Sequence, residues 1–206
     1  MSQYFKIHPE NPQGRLIRQA ADILRSGNVI IHPTDSGYAL GCHLGDKAAL
    51  NRIIQIRKLN EKHNFTLMCR DLSELSTYSI IDTPAFRLLK ANTPGPYTFI
   101  LRATREVPRR LMHPKQKTIG LRVPDHPVSQ ALLEEFNEPI LTTSMIFPGE
   151  EMPVNDAEEI ALRLRDQVEL VIDSGACGTI PTTMIDLRDI IPIILREGKG
   201  DITPFV

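Results

Sequence analysis

The sequence predicts an α/β domain in which a twisted sheet of mixed parallel and antiparallel strands carries helices on its faces. Segments with a helical spacing of apolar residues alternate with short apolar segments, which is typical of helices packed on a sheet. The last three apolar segments, at 168–173, 183–186 and 191–196, follow one another with no room for crossover helices. Part of the sheet must therefore be antiparallel. At 206 residues the chain suits a single domain spanning 1–206.

The overall composition predicts an ordinary globular protein. A formal net charge of −1 gives no sign of a general preference for nucleic acid, so any basic surface must be local. The N-terminus lacks the apolar core of a signal peptide, and no apolar run approaches the roughly 18–20 residues of a membrane span, which predicts a cytoplasmic location and no membrane association. Cys42, Cys69 and Cys177 share no close spacing and are interpreted as small core residues, and the six histidines lack the spacing of metal ligands. No metal site is predicted.

The individual elements follow from apolar spacing and from proline and glycine. The helix at 12–26 has Asn11 as its cap and Pro12 in its first turn. A strand at 29–31 follows, and Pro33 ends it because proline cannot donate to a sheet ladder. The same criteria predict further helices at 46–58, 84–90, 127–136 and about 156–165, and further strands at 65–69, 97–102, 118–123 and 139–143.

Polar side chains follow the strand at 29–31. Thr34, Asp35 and Ser36 offer two hydroxyls and a carboxylate, and ligands of open α/β sheets usually bind at such strand ends. The segment also fits an ordinary turn, so the prediction depends on similar groups elsewhere. Such groups recur at the ends of other predicted strands, namely at Thr98, Arg102, Thr142, Thr143, Ser144, Thr182, Thr183 and Arg196. Arginines and hydroxyls suit phosphate or carboxylate, which predicts a pocket for a nucleotide or an amino acid.

A locally basic run lies between residues 102 and 122. Glu106 is its only acid, and its cations are Arg102, Arg105, Arg109, Arg110, Lys115, Lys117 and Arg122. Spread arginines and lysines contact phosphates in a salt-sensitive and weakly sequence-specific way, so this run favours RNA binding. The alternative is a solvated face whose charges are balanced by acids such as Glu134, Glu135 and Glu138.

Several motifs, in order along the chain, resemble those of the YrdC-like proteins, the threonylcarbamoyl-AMP synthases. Pro-Thr-Asp-Ser-Gly-Tyr-Ala-Leu-Gly at 33–41 is similar to the signature of that family, and the segment at 63–78 is similar to its YciO branch. Further similar segments lie at 94–101, 120–124, 142–144, 181–186 and 195–198. The resemblance runs from about residue 12 to 200, the expected core of the domain. It implies a YrdC-like fold with a deep concave cleft.

The resemblance implies a reaction in which ATP, L-threonine and bicarbonate give threonylcarbamoyl-AMP, the donor for threonylcarbamoyladenosine in tRNA, and pyrophosphate. Mg²⁺ would bind through the ATP phosphates, and positioning and charge neutralisation would replace a side-chain nucleophile. A monomer or a weak dimer is expected. Carried over onto this sequence, the threonine-binding residues are Thr34, His63, Arg102, Thr142 and Thr182. The nucleotide-binding residues are Arg57, Thr98, Ser144 and Arg196.

Two positions depart from the family pattern. Leu59 stands where the synthases carry an arginine, and Ile146 where they carry an asparagine. Losing a phosphate-binding arginine costs transition-state stabilisation, and Lys58 and Lys62 are the candidates to replace it. A second hypothesis is therefore a nucleotide-binding relative with weak or no synthase activity that binds double-stranded RNA or tRNA. A third is carbamoyl-adenylate chemistry on an amine other than threonine. The RNA contacts would be Arg105, Arg109, Arg110, Lys115, Lys117 and Arg122.

Overall fold

The computed structural model describes residues 2–60, 63 and 65–206. The strands form one mixed sheet with helices on both faces, which confirms the predicted fold class. The strands are β1 (Gln3–Lys6), β2 (Ile30–His32), β3 (Ala39–His43), β4 (Thr66–Met68), β5 (Ser79–Ile80), β6 (Tyr97–Ala103), β7 (Thr118–Arg122), β8 (Ile140–Ser144), β9 (Leu170–Asp173), β10 (Thr183–Asp186) and β11 (Ile193–Arg196). The helices are α1 (Gly14–Arg25), α2 (Lys47–Arg57), α3 (Leu72–Tyr78), α4 (Thr83–Asn92), α5 (Pro127–Phe136) and α6 (Ala157–Leu164).

The strands are ordered β1, β9, β2, β3, β8, β4, β7, β6, β10 and β11 across the sheet, and β5 pairs with the end of β6. The pairs β1/β9, β2/β9, β4/β7 and β6/β10 are parallel, and the other pairs are antiparallel. β10 and β11 form an antiparallel pair, as their short connection predicts. β9 lies towards the other edge, between β1 and β2. The last three strands are therefore not all neighbours in the sheet.

Aspartates cap α2, α3, α4 and α6. The side chains of Asp46, Asp71, Asp82 and Asp156 each accept a hydrogen bond from a backbone N–H of the first helical turn. These bonds satisfy N–H groups that have no partner within the helix. In the part of the chain that the structure describes, no helix is both long enough and apolar enough to cross a membrane.

α1 begins two residues later than predicted. Gln13 precedes its first residue, whereas the sequence predicted Asn11 as the cap. The reason is a turn before the helix, in which His8 Nδ1 accepts hydrogen bonds from the backbone N–H groups of Glu10 and Asn11, at 3.2 and 3.1 Å. Asn11 therefore belongs to this turn and not to the helix.

Four short elements were not predicted, namely β1, β3, α3 and β5. β3 has the sequence Ala-Leu-Gly-Cys-His, which contains a central glycine and no β-branched residue, an unusual composition for a strand. α3 has seven residues and β5 has two, so neither is long enough for a clear periodic pattern. β1 is held by parallel pairing with β9 at the far end of the chain. Local sequence gives no indication of such a contact.

The hydrophobic core has two parts, one on each face of the sheet. α1 and α5 cover one face, and α2, α3, α4 and α6 cover the other. Neighbouring residues on a strand alternate between the two faces, so Ile30 packs beneath α1 and α5 while Ile31 packs on the opposite side. Cys42 and Cys69 are fully buried, as predicted, but Cys177 is only partly buried.

Candidate functional site

Along the central strands, the sheet face beneath α1 and α5 changes from apolar to polar. On β8, Ile140 packs under the helices, and Thr142, two residues further along on the same face, lines an open cleft. On β4, Met68 packs under the helices and Thr66 lines the cleft. Thr142 and Thr66 are partners across the β4/β8 pair. The cleft is thus the uncovered continuation of this sheet face.

Hydroxyl groups and arginines dominate the lining of the cleft, which has a volume of about 80 Å³. The lining residues come from the turn after β2, from seven strands, and from the segments just before β4 and β10 that carry His63 and Thr182. They are Thr34, Ser36, Gly37, Tyr38, Ala39, His63, Thr66, Thr98, Arg122, Thr142, Thr143, Ser144, Thr182, Met184 and Arg196. The fold therefore brings residues from most of the chain into one polar site.

Gly120 on β7 allows Thr66 and Thr98, which line the cleft, to pack closely on either side of it. It pairs with Thr66 on β4 and with Ile100 on β6. A Cβ atom at this position would lie 2.8 Å from Thr66 Oγ1 and 3.0 Å from the carbonyl oxygen of Phe65, which is too close for unstrained contact. Glycine permits this close packing because it has no side chain.

The segment after β2 is a turn held by its own hydroxyl groups. Thr34 Oγ1 donates to the Gly37 carbonyl at 2.7 Å and accepts from the Ser36 backbone N–H at 3.2 Å. Gly37 has a φ of 128°, which side chains of L residues strongly disfavour. The same turn places Thr34 and Ser36 in the cleft. The two interpretations of this segment, as a turn and as part of a ligand site, are therefore compatible.

A buried ion pair fixes this turn to β7. Asp35 Oδ1 pairs with Arg122, and both side chains are 7% exposed. Asp35 Oδ2 accepts from the backbone N–H of Asp125 at 2.9 Å, and Arg122 Nη1 donates to Ser36 Oγ at 3.2 Å. Lys199 donates to the carbonyl oxygen of Asp35. Within the described residues the buried Arg122 Nε–H has no hydrogen-bond partner, so this arginine keeps one donor free.

Arg196, the last residue of β11, supplies a second cation. Its Nε and Nη2 atoms donate to the Thr182 carbonyl at 3.0 and 2.8 Å, and Nη2 also donates to Thr182 Oγ1 at 3.1 Å. Burial lowers the pKa of Arg196, and the charge of Arg122 lowers it further. An anion bound near both guanidinium groups would relieve this repulsion.

Histidines near the cleft are kept neutral mainly by burial. Desolvation lowers the pKa of His32 to about 4, and the charge of Arg122 adds to this effect. Desolvation also lowers the pKa of His63, with a further contribution from Arg57, and that of His126. Near neutral pH the positive charge of the site therefore comes from its arginines.

Seven of the nine residues predicted to bind threonine or the nucleotide line the cleft. They are Thr34, His63, Thr98, Thr142, Ser144, Thr182 and Arg196. Arg57 does not line the cleft, although its charge lowers the pKa of His63, which does. These positions fit one site, and the individual binding roles remain predictions.

Arg102 was also assigned to this site, but the structure does not bring it into the cleft. It shares a face of β6 with Thr98 but lies four residues further along the strand, a distance of about 13 Å. Its side chain is 60% exposed, and Arg102 Nη2 lies 3.3 Å from Asp189 Oδ1. The arginine that lines the cleft is Arg122 on the neighbouring strand.

Arg122, which was predicted to be part of an RNA-binding surface, is therefore buried in the cleft instead. Arg122 is 6% exposed and is paired with Asp35, so it cannot meet RNA at the surface. Arg110 is exposed but donates to the backbone carbonyls of Leu44 and Gly45. The other cations of that prediction are exposed, namely Arg105, Arg109, Lys115 and Lys117.

Thr66, Gly120 and Met184 also line the cleft or shape its floor but were not predicted from the sequence. A glycine inside a strand often marks the close approach of a ligand or of another backbone, so Gly120 could have been identified from the sequence. Thr66 could not, because threonine is common in strands for packing reasons alone.

The two positions that depart from the synthase pattern lie outside the lining of the cleft. Leu59 is partly buried against the core and borders a separate groove, and Ile146 is partly buried. Lys58 is exposed at the end of α2. Lys62, the other candidate to replace the lost arginine, lies outside the described residues.

Comparison with known proteins identifies relatives over most of the chain. The family model for Sua5, YciO and YrdC proteins, described as "Telomere recombination", matches residues 22–198. YciO of Escherichia coli K12 is 61% identical over the full length of both chains, and its crystal structure matches with a TM-score of 0.97. The threonylcarbamoyl-AMP synthase of Bacillus subtilis is 29% identical over 94% of this chain and 55% of the synthase. The crystal structure of P. abyssi Sua5 complexed with L-threonine is 27% identical, with a TM-score of 0.88 over 96% of this chain and 58% of that one.

The contacts of Gly120 predict that Gly120→Ala destabilises the protein. The added methyl group must displace Thr66 or the Phe65 backbone, and overpacking of this kind costs about 1–3 kcal/mol. Urea unfolding would measure the change. Gly14→Ala is the matched control, because its Cβ would meet only the flexible end of Arg18 at 3.8 Å and alanine favours the helix. Equal stability of the Gly120 variant and the wild type would contradict the role of Gly120.

The lowered pKa of His32 predicts that the protein loses stability in mild acid. An unfolded histidine titrates near 6.5 and His32 near 4 in the folded protein, so the unfolded state binds more protons between these values. The contribution of His32 to the free energy of unfolding is complete above pH 6.5 and decreases as the pH falls towards 4. The decrease is about 2 kcal/mol between pH 7.5 and 5.0. Urea unfolding of the wild type and of His32→Gln at both values would test this. Parallel losses in the two proteins would contradict it.

Proposed function

The chain belongs to the Sua5/YciO/YrdC family, and on that premise we propose that it joins L-threonine, bicarbonate and ATP in the cleft to form threonylcarbamoyl-AMP and pyrophosphate. The proposal rests on one observation. Two arginines, Arg122 and Arg196, line the same small cleft as several threonine hydroxyls. The arginines suit the carboxylate of an amino acid and the phosphates of a nucleotide. The hydroxyls suit the ammonium and hydroxyl groups of threonine.

The size of the cleft suggests that the amino acid and ATP occupy different parts of the site. Its volume of about 80 Å³ is well below the roughly 300–1,000 Å³ of pockets for larger ligands. We therefore assign the amino acid to the cleft, with ATP extending from it towards solvent. Arg57 is our candidate to meet the nucleotide there, because its charge acts on His63, which lines the cleft.

The chemistry needs positioned charges and no side-chain nucleophile. The threonine ammonium loses a proton, and the amine attacks bicarbonate to form a carbamate with release of water. An oxygen of the carbamate then attacks the α-phosphorus of ATP, and pyrophosphate leaves. Arg122 and Arg196 hold the anionic groups and neutralise charge that develops on phosphate, which is the main task of a protein in such a transfer.

Mg²⁺ would accompany ATP. Among the described residues, no three histidine, cysteine, aspartate or glutamate side chains lie close enough to hold a metal ion. Asp35, the carboxylate nearest to the cleft hydroxyls, is already paired with Arg122. The residues therefore fit Mg²⁺ only as an ion held by the phosphates, and no step is assigned to it.

The reaction predicts that pyrophosphate release from ATP and bicarbonate depends on L-threonine. Arg196→Ala should lower the rate by about 10²–10³-fold, because it removes a cation that stabilises developing charge. Arg102→Ala is the matched control and should keep the wild-type rate, since its side chain is exposed and distant from the cleft. Pyrophosphate would be measured with a coupled assay and threonylcarbamoyl-AMP by mass spectrometry.

The outcomes of this assay separate the hypotheses. Release with another amine, but not with L-threonine, would assign the same chemistry to a different substrate. Absence of release with any amine would contradict synthase activity. Equal losses in the Arg102 and Arg196 variants would contradict the assigned site.

A second candidate function is RNA binding, and the exposed cations Arg105, Arg109, Lys115 and Lys117 favour it. None of the four has an ion-pair partner among the residues that the structure describes. Arg109 and Lys117 both line two adjoining grooves, with Met112 between them. Unpaired cations on a concave surface are suited to the phosphates of an RNA helix.

RNA binding predicts an affinity for a short RNA duplex that falls steeply with salt. Arg109→Ala and Lys117→Ala should each weaken binding and reduce the salt slope by about 1, because each removes one phosphate contact. Arg15→Ala is the matched control, since it removes an equal charge from the exposed side of α1. Fluorescence anisotropy at several salt concentrations would measure this. A flat salt dependence would contradict this function.

A further inference from the structure

His32, the last residue of β2, is fully buried and has a partner at each ring nitrogen. Nδ1 lies 3.2 Å from the carbonyl oxygen of Pro33, and Nε2 lies 3.3 Å from Thr142 Oγ1. Gly41, which pairs with Thr142 across β3 and β8, leaves room for the ring. A Cβ atom at Gly41 would lie 2.9 Å from His32 Cδ2. The position of the ring is therefore fixed by its surroundings.

These partners determine which nitrogen carries the proton. The carbonyl oxygen of Pro33 can only accept, so Nδ1 of His32 must carry the hydrogen. A neutral imidazole has one N–H, so Nε2 is an acceptor. The hydroxyl of Thr142 must then donate its single hydrogen to Nε2. The remaining lone pairs of Thr142 Oγ1 can only accept, and Thr142 lines the cleft.

We propose that His32 is a positioning residue which holds the Thr142 hydroxyl as a hydrogen-bond acceptor, so that the cleft selects ligands that present an ammonium or N–H group to Thr142. This proposal rests on the proposed function, in which the ligand is the amino acid. His32 itself contacts no ligand and acts only through Thr142.

At its other end the cleft presents hydrogen-bond donors, whereas Thr142 presents an acceptor. Thr98 Oγ1 and Thr182 Oγ1 lie 2.8 Å apart, and Thr182 also receives a hydrogen bond from Arg196. Arginine donors at this end suit a carboxylate or a phosphate. An α-amino acid carries one group of each kind. Its ammonium group therefore lies at Thr142, and its carboxylate lies towards Arg122 and Arg196.

The test compares L-threonine with 3-hydroxybutyrate, which is threonine without its ammonium group, by calorimetry on the wild type and variants. The wild type should prefer L-threonine. His32→Phe and Thr142→Val should each reduce this preference by about 3- to 10-fold, the effect of one hydrogen bond. His32→Gln should restore part of it, because a glutamine side-chain oxygen can accept from Thr142. An unchanged preference in His32→Phe would overturn the proposal.

The double variant His32→Phe/Thr142→Val separates positioning from a structural effect. If His32 acts through Thr142, the double variant should lose no more preference than Thr142→Val alone. Fully additive losses would overturn the proposal. Thermal unfolding of each variant would report its stability, and a loss of stability without a change in preference would also overturn it.

NMR of ¹⁵N-labelled histidine tests the arrangement without any ligand. His32 should be the Nδ1–H tautomer and remain neutral at pH 6, and Thr142→Val should shift its Nε2 signal. An Nε2–H tautomer would overturn the proposal even if the protein binds L-threonine. A wild type that binds neither ligand but shows the Nδ1–H tautomer would contradict the proposed function and the ammonium selectivity, while the His32–Thr142 hydrogen bond would stand.

Discussion

The buried ion pair between Asp35 and Arg122 connects the parts of the chain on which the cleft depends. It joins the turn after β2 to the end of β7, and the other contacts of Asp35 reach the backbone before α5 and Lys199 near the C-terminus. Charges buried this deeply are stable only when paired, and removing one partner of such a pair typically costs about 3–5 kcal/mol. The turn that carries Thr34 and Ser36 therefore cannot leave β7 without a large loss of stability. The same contact stabilises the fold and positions the cleft hydroxyls.

The cleft arises from a change of residue type along single strands. Because every second residue of a strand points to the same face, Ile140 and Thr142 face the same side of the sheet, as do Met68 and Thr66. The apolar members of these pairs bind α1 and α5 to the sheet. The hydroxyl members extend beyond the helices. The packed apolar end of each strand therefore also restrains the polar end, which gives the cleft a fixed geometry.

The strongly periodic elements of the fold could be predicted from the sequence, but the contacts between distant strands could not. The spacing of apolar residues predicted α1, α5 and most strands. The position of β9 beside β1 depends instead on pairing between residues that are separated by most of the chain length. The site shows the same limit. Thr98 and Arg102 lie on one face of β6, yet only the packed sheet shows which end of that face is open. For this reason Arg102 was assigned to the cleft, and Arg122, which faces it, was assigned to the surface.

The departures from the synthase pattern change charge more than shape. Leu59 packs against the core and lies outside the lining of the cleft, so an apolar residue at this position leaves the cleft intact. Three arginines remain in or near the cleft. Arg122 and Arg196 lie in the cleft, and both Arg57 and Arg122 have a buried Nε–H without a partner among the described residues. An unpaired buried donor costs about 1–3 kcal/mol, and an anion that reached either Nε–H group would remove that cost. The arginines of the cleft therefore favour the binding of an anion.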